Sequence, residues 1–174
     1  IKPLNLLTYK PTIYAPNVSE DDLANGNDWV EKVRNIAAAE NAQIVVISAQ
    51  VESELIELPE EEIADYLESL GVEEGGLKSL IKATYQLLGL RTYFTTGEKE
   101  TKAWTIKAGM LAPQAAGVIH TDFERGFIRA ETIAYEDLVT SGSMTAAKEK
   151  GLLRSEGKDY LVKEGDIMLF RFNV

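Results

Sequence analysis

Two short clusters in the first half of the chain carry groups suited to reading a planar heterocycle. Asn17-Val18-Ser19-Glu20 sets an amide and a carboxylate three residues apart, and Ser48-Ala49 offers backbone amides beside a small hydroxyl residue. An asparagine amide both donates to and accepts from a purine edge, whereas an ionised carboxylate only accepts. Glu20 therefore suits a ring N–H or an exocyclic amine. Free backbone N–H groups of a Ser48-Ala49 turn suit a purine's 6-position acceptor or its neighbours. The same residues also fit a plainer use, with an Asx-turn at Asn17 and Glu20 capping the helix that follows. Placement raises the first use above a chance tetrapeptide, since each cluster directly follows a predicted buried strand with a helix between them; the plainer use remains the commoner one for such residues. Ligands of open α/β sheets bind outside the carboxyl ends of the strands.

The elements that position these clusters are legible from pattern. Thr12–Ala15 lies between Pro11 and Pro16 and reads as a short buried strand. Trp29, Val33 and Ile36 recur at helical spacing, which predicts an amphipathic helix over Asp28–Glu40 with Asp28 as its N-cap. Gln43–Ile47 is a continuous β-branched run, as expected of a strand covered on both faces. Ser48–Glu52 then leaves it as a loop. Helices are predicted over Glu60–Leu70, between Pro59 and Gly71, and over Leu77–Leu88, ending at Gly89. This order implies parallel strands in an α/β layer, and two strands are too few for an independent sheet.

The pattern changes after Gly89. Arg91–Thr95 and Lys102–Ile106 flank a turn-rich connection and read as a hairpin. Pro113 opens a short helix whose apolar face is Ala115, Ala116, Val118 and Ile119, and Phe127–Tyr135 reads as a strand. Tyr160–Val162 and Ile167–Phe172, joined through Gly165-Asp166, read as a second hairpin. A small mixed sheet wrapped on one helix, a β-grasp, accounts for this order. The domain expectation is therefore an α/β part over residues 1–90 and an α+β β-grasp over residues 91–174.

Composition sets limits. The chain has 174 residues and no cysteine, which removes disulfides, thiolate metal sites and cysteine nucleophiles; its single histidine removes multi-histidine metal sites. No apolar run approaches membrane-spanning length and no signal-peptide pattern opens the chain, so a cytoplasmic protein is expected. Residues 1–90 hold 6 of the 18 Lys+Arg and 16 of the 28 Asp+Glu, so the formal charge of −10 lies wholly there. The second half is neutral and is the better candidate for any contact with RNA. The chain begins at Ile1, and its opening reads as mid-protein sequence, the start of a piece of something longer.

Several stretches carry a family resemblance. Lys2-Pro3-Leu4-Asn5-Leu6-Leu7-Thr8-Tyr9-Lys10-Pro11, running into Asn17-Val18-Ser19-Glu20, is similar to the YchF or Obg-like ATPase family at its fourth nucleotide motif. Ser48-Ala49-Gln50-Val51-Glu52-Ser53-Glu54-Leu55 resembles the fifth. Leu90–Thr95, Lys102–Thr105, the highly specific His120–Glu131 and the stretch from Gly157 to Val174 resemble the family's TGS domain. The resemblance spans essentially the whole chain. It implies the carboxyl-terminal part of a P-loop nucleotide domain followed by a β-grasp TGS domain. It also implies a base site of Asn17, Val18, Glu20, Ser48, Ala49 and Gln50, ATP (or GTP) with Mg²⁺ as cofactor of the intact protein, none being expected to bind this chain tightly by itself, and the ribosome or RNA as partner through the TGS domain. Val18 stands where most GTPases of the superfamily have a lysine that packs over the base. Glu20 stands where they have an aspartate that accepts from guanine N1–H and the 2-amino group; adenine offers neither donor.

The departures matter equally. No Gly-x-x-x-x-Gly-Lys-Ser/Thr occurs, so the sequence has no phosphate cradle, and it has no Mg²⁺-binding threonine loop or Asp-x-x-Gly segment. Phosphoryl transfer depends on positioning and charge stabilisation of the phosphates. The chain by itself is therefore expected not to hydrolyse nucleotide at a useful rate. His120 reads as a cation at a helix carboxyl end, not as a catalytic group, and the family's hydrolysis-linked histidine is not carried over to it. Trp29 and Trp104 read as core or interface residues, and Tyr93, Phe94, Phe127, Phe170 and Phe172 as core. Lys99, Lys102, Lys107, Arg125 and Arg129 form a possible basic rim, with a solvated face as the simpler use. The alternative to an ATPase part is a non-enzymatic β-grasp module that binds RNA, the ribosome or a protein.

Overall fold

The computed structural model describes residues 2–97 and 100–173, which divide into two compact units, Ile1–Leu88 and Gly89–Val174. In the first unit, β1 (Ile13–Tyr14) and β2 (Gln43–Ile44) pair in parallel, Ile13 opposite Gln43 and Tyr14 opposite Ile44. Only these residues hold regular strand geometry, so the expected runs Thr12–Ala15 and Gln43–Ile47 are longer than the strands formed. Both strands are half-buried. The ladder nevertheless extends past them: Val45 N donates to Tyr14 O at 2.9 Å, Ile47 N to Pro16 O at 3.0 Å, and Val18 N to Ile47 O at 2.9 Å. Those bonds carry the backbone up to both candidate clusters.

The crossover is α1 (Asp28–Ala39), which buries Val30 and Ala37. Its N-cap is Asn27, not Asp28. Asn27 has the extended backbone of a capping residue, and its side chain accepts from Trp29 N and Val30 N at 3.0 and 3.1 Å. Asp28 becomes the first helical residue, where its charge favours the helix amino end. Trp29 is 72% exposed, against the core reading, with the Lys32 ammonium 4.1 Å from its ring centre. Three further helices follow: α2 (Ala49–Glu57), α3 (Glu60–Ser69) and α4 (Gly76–Leu87). The first of these replaces the loop expected at Ser48–Glu52.

In the second unit, β3 (Leu90–Thr96) and β4 (Thr101–Lys107) form the expected hairpin. With β5 (Phe127–Ala134), β6 (Arg154–Glu156) and β7 (Asp166–Phe172) they build one sheet in the order β4-β3-β7-β5-β6. β7 runs parallel to β3 and antiparallel to β5, so the last strand fills the centre. One face packs on α5 (Ala112–Ile119) around Tyr93, Ile106, Phe127, Ala130, Met168 and Phe170. Trp104 packs at the edge of that cluster, and its indole N–H donates to Thr95 Oγ1 at 2.9 Å. The buried side of α5 is Ala112, Ala115 and Ala116, whereas Val118 is 41% exposed and does not belong to it. Phe172, at the strand end, is also exposed.

Two more departures concern chain path. Tyr135 does not end the strand; it opens α7 (Tyr135–Ser141), which stops at Gly142 with φ +76° and is followed by α8 (Met144–Glu149), capped by Ser143. These helices cover Ile133 and Ile167 on the other sheet face, through Leu138 and Ala147. Tyr160–Val162 does not form a hairpin with β7. It crosses instead to Met110–Ala112, where Ala112 N donates to Tyr160 O and Val162 N to Met110 O. Both edges of β7 are already taken by β3 and β5.

Candidate functional site

The first-unit clusters meet where the extended ladder ends. Asn17 and Ile47 form a parallel bridge, which places the residues after each strand side by side. Across that gap the Asn17 Oδ1 accepts from Ala49 N at 2.9 Å. The Ala49 amide is therefore engaged, not free as expected. Asn17 is exposed, so its Nδ2 side faces outward with two donors still to use. Val18 is half-buried and is fixed through its backbone bond to Ile47 O.

Ser48 explains why the helix starts at once. Its extended backbone and its Oγ, which accepts from Val51 N at 3.5 Å, cap α2, and the residue is fully buried at 0% exposure. That hydroxyl serves the helix, while Ala49 and Gln50 stand exposed at the first turn. Glu20 opens a short 3₁₀ turn over Glu20–Asp22, held by Leu23 N donating to Glu20 O at 3.1 Å. Its side chain is exposed and does not cap α1, because Asn27 does. The plainer use of Glu20 is thereby removed.

Two residues joined to this site were not picked out from sequence. Gln50 Nε2 donates to Glu54 Oε1 at 3.1 Å, and the Tyr66 hydroxyl, on α3, donates to the other Glu54 oxygen. The Tyr66 bond, then the Gln50 bond, hold the Glu54 carboxyl below its usual range. The bond to Glu54 pushes the Tyr66 phenol up to about 12, with burial and the charges of Glu54 and Glu20 adding to it. Gln50 and Glu54 stand one helical turn apart, a spacing visible in sequence. Tyr66 comes from a separate helix, and no local pattern points to it.

On the far side of α2 lies a groove of about 310 Å³ between that helix and α4, lined by Ile47, Ala49, Glu52, Ser53, Ile56, Leu77 and Leu80. Glu52 Oε1 accepts from Gly76 N at 2.6 Å, and α4 starts so close to β2 that a Cβ on Gly76 would lie 2.8 Å from Ile47 Cγ2. This contact seats α4 beneath the clusters.

In the second unit, His120 ends α5 and also caps α6 (Thr121–Arg125), its Nδ1 accepting from Asp122 N at 3.1 Å. His120 thus stands at the carboxyl end of α5, as expected, and serves the amino end of α6 as well. Among the basic rim residues, Arg125 pairs with Asp122 at 3.4 Å, Arg129 with Glu131 at 2.9 Å, and the Lys102 ammonium sits 4.1 Å from the Trp104 ring centre. Lys107 is exposed, and Lys99 lies outside the described residues. No helix among the described residues is long and apolar enough to cross a membrane.

The chain is similar to known proteins along its whole length. The family model YchF-GTPase_C, described as a protein of unknown function (DUF933), matches residues 90–173. The ribosome-binding ATPase YchF of Bacillus subtilis is 58% identical over 100% of this chain, which covers 48% of that protein. Its namesake from Haemophilus influenzae is 55% identical, again over 100% of this chain and 48% of the relative. The chain thus spans about half the length of the curated relatives it matches. Among solved structures, the Schizosaccharomyces pombe YchF GTPase superposes with a TM-score of 0.81 at 37% identity, over 97% of this chain and 45% of that one. A GTP binding protein from Pyrococcus horikoshii OT3 superposes at 0.64 over 94% of this chain and 46% of its own; at 18% identity it speaks for the fold alone.

Proposed function

This chain belongs to the YchF family, and from that premise we propose that its first unit is the base-reading end of a P-loop nucleotide domain and its second a TGS-type β-grasp domain. In a protein of the relatives' length, the first unit holds the base of ATP, with GTP the weaker ligand. The second contributes to contact with the ribosome. The observation that carries the nucleotide reading is the Asn17 Oδ1 to Ala49 N bond of 2.9 Å, which ties together the two loops that leave adjacent parallel strands.

The bond also supplies a mechanism for base choice. Without a base, Asn17 Oδ1 and Ala49 N–H satisfy each other. Adenine presents a 6-amino donor beside ring-nitrogen acceptors. Asn17 Oδ1 passes to that amino hydrogen, and the Ala49 N–H passes to a ring nitrogen, so both protein groups keep a partner. Guanine presents a 6-oxo acceptor, which serves Ala49 N–H but offers no 6-amino donor for Asn17 Oδ1 to accept from. Leaving a polar group unpaired costs about 1–3 kcal/mol. Glu20 stands where most GTPases of the superfamily have an aspartate that accepts from guanine, and its charge bears on Tyr66 of α3. Gln50, tethered to Glu54, which Tyr66 also holds, lines the same edge.

ATP supplies the phosphates on which hydrolysis occurs, and Mg²⁺ neutralises them. In this reading the chain's own residues bind and orient the base. ATP and GTP affinities of a protein of the relatives' length, with and without Glu20→Asp, test the reading. The expected result is a narrowed preference for ATP in the variant, and an unchanged preference removes Glu20 from the account. Co-sedimentation with ribosomes tests the partner assignment, which fails if the protein stays in the supernatant with and without ATP.

A further inference from the structure

A second concave site lies in the second unit, at the end of the sheet where β5 finishes and β7 begins. It has a volume of about 460 Å³ and is lined by Phe94, Ala134, Tyr135, Glu136, Glu164 and Gly165. Two of its walls are aromatic: the Phe94 and Tyr135 rings stand with centres 6.3 Å apart and planes inclined by 39°. Phe94 is backed by the Ile133–Ala147–Ile167 cluster, so its ring is held in place. Gly165 turns the chain at the rim of the site. Its φ of +76° suits glycine, its N–H donates to Thr92 O at 2.9 Å, and an added Cβ would lie 3.7 Å from Tyr135 Cβ.

The carboxylates give the site its sign. Glu164 Oε2 accepts from Thr92 N at 3.0 Å, which fixes the group beside the pocket. Among the described residues its Oε1 has no hydrogen-bond partner, and Glu136 has neither hydrogen bond nor ion pair. Four other acids of this unit do have basic partners: Asp122 has Arg125, Glu131 has Arg129 and Arg171, and Glu156 and Asp166 share Arg154. Two uncompensated carboxylates beside two ring faces form a receptor for a cation with a flat face.

We propose that this pocket receives the side chain of an arginine from a basic segment of a partner protein. A guanidinium stacks on Phe94 or Tyr135 and directs its fork of donors at Glu136 and the free oxygen of Glu164, which a compact ammonium does less well. The two carboxylates repel a phosphate backbone, so the ligand is a protein segment and not RNA. This site lies in a different unit from the base-reading loops and does not depend on them.

Amide-shift titration of the ¹⁵N-labelled chain with acetylated, amidated tri-arginine at low salt tests the proposal. The amides of Phe94, Tyr135, Glu136 and Gly165 are expected to shift together, with tri-lysine binding more weakly. The double variant Tyr135→Ala, Glu136→Gln is expected to bind roughly three- to ten-fold more weakly, the scale of one cation–π contact with one exposed charge pair. A second pair, Glu136→Gln with Glu164→Gln, leaves an amide oxygen to accept from Thr92 N and guards against misfolding of the first. Shifts that gather instead at Glu60–Glu62 of α3, or variants that bind like the parent, overturn the assignment.

Discussion

Asn17 Oδ1 and Ala49 N meet at 2.9 Å although 32 residues separate them in the chain. The bond closes the gap between the two loops that follow β1 and β2. Because Asn17 is exposed, its loss is buffered by water. Asn17→Ala is expected to lower the stability of the first unit by about 0.5–1.5 kcal/mol, the net worth of one such bond. Urea unfolding followed by amide signals of that unit measures it. A change below a few tenths would mean that the bond does not organise the loops.

Gly76 offers a contrast within the same unit. A Cβ there would sit 2.8 Å from Ile47 Cγ2 and 3.1 Å from Ile47 Cα, where the backbone itself has to move. Gly76→Ala is expected to cost about 1–3 kcal/mol by overpacking, despite alanine's better helix propensity. The same urea experiment reads it. A gain in stability would show that α4 is not seated on Ile47 as described.

Alkaline pH should weaken the fold through its tyrosines. Burial, then the hydrogen bond to Asp166, pushes Tyr160 up to about 12, and Tyr66 reaches about 12 through its bond to Glu54, each from an ordinary 10.0. A raised pKa means the folded state holds the proton more tightly than the unfolded one. The stabilisation is complete below pH 10.0 and is lost as pH rises towards about 12. Tyr160→Phe is expected to flatten the fall in stability over that window, measured as thermal midpoints from pH 9 to 12. An unchanged slope would exclude Tyr160 as a contributor.

Asp166 is 2% exposed and accepts from Tyr160 Oη at 2.9 Å and Lys163 N at 2.8 Å, with Arg154 Nη2 at 3.7 Å. Asp166→Ala removes the acceptor of a half-buried hydroxyl and of a backbone amide. A loss of about 2–4 kcal/mol is expected, with Asp166→Asn costing less because its amide oxygen still accepts. Equal effects from the two substitutions would contradict this account of the turn before β7.

The sequence conveyed what is written in local pattern. The β-branched run Gln43–Ile47 and the helix stops at Gly71 and Gly89 announced their elements, and the Tyr93 and Phe170 alternation announced a sheet core. What it withheld depends on partners distant in the chain. Ser48 reads as the start of a loop because nothing local shows that its hydroxyl turns inward to cap α2. Tyr160–Val162 resembles a strand, but the edges of β7 are filled by β3 and β5, a fact of topology. At the candidate site, Asn17 and Ala49 were legible as chemistry, while their mutual bond and the support from Tyr66 required the fold.

The most direct measurement follows the amides of Val18, Glu20, Ala49 and Gln50 while a protein of the relatives' length is titrated with ATP and, separately, with GTP. The account predicts that ATP shifts these four amides together, Ala49 most strongly, and that GTP shifts them less at equal concentration. It further predicts that Asn17→Ala abolishes the difference between the two nucleotides. Equal responses to ATP and GTP in the parent protein, or shifts confined to residues away from these loops, would contradict it.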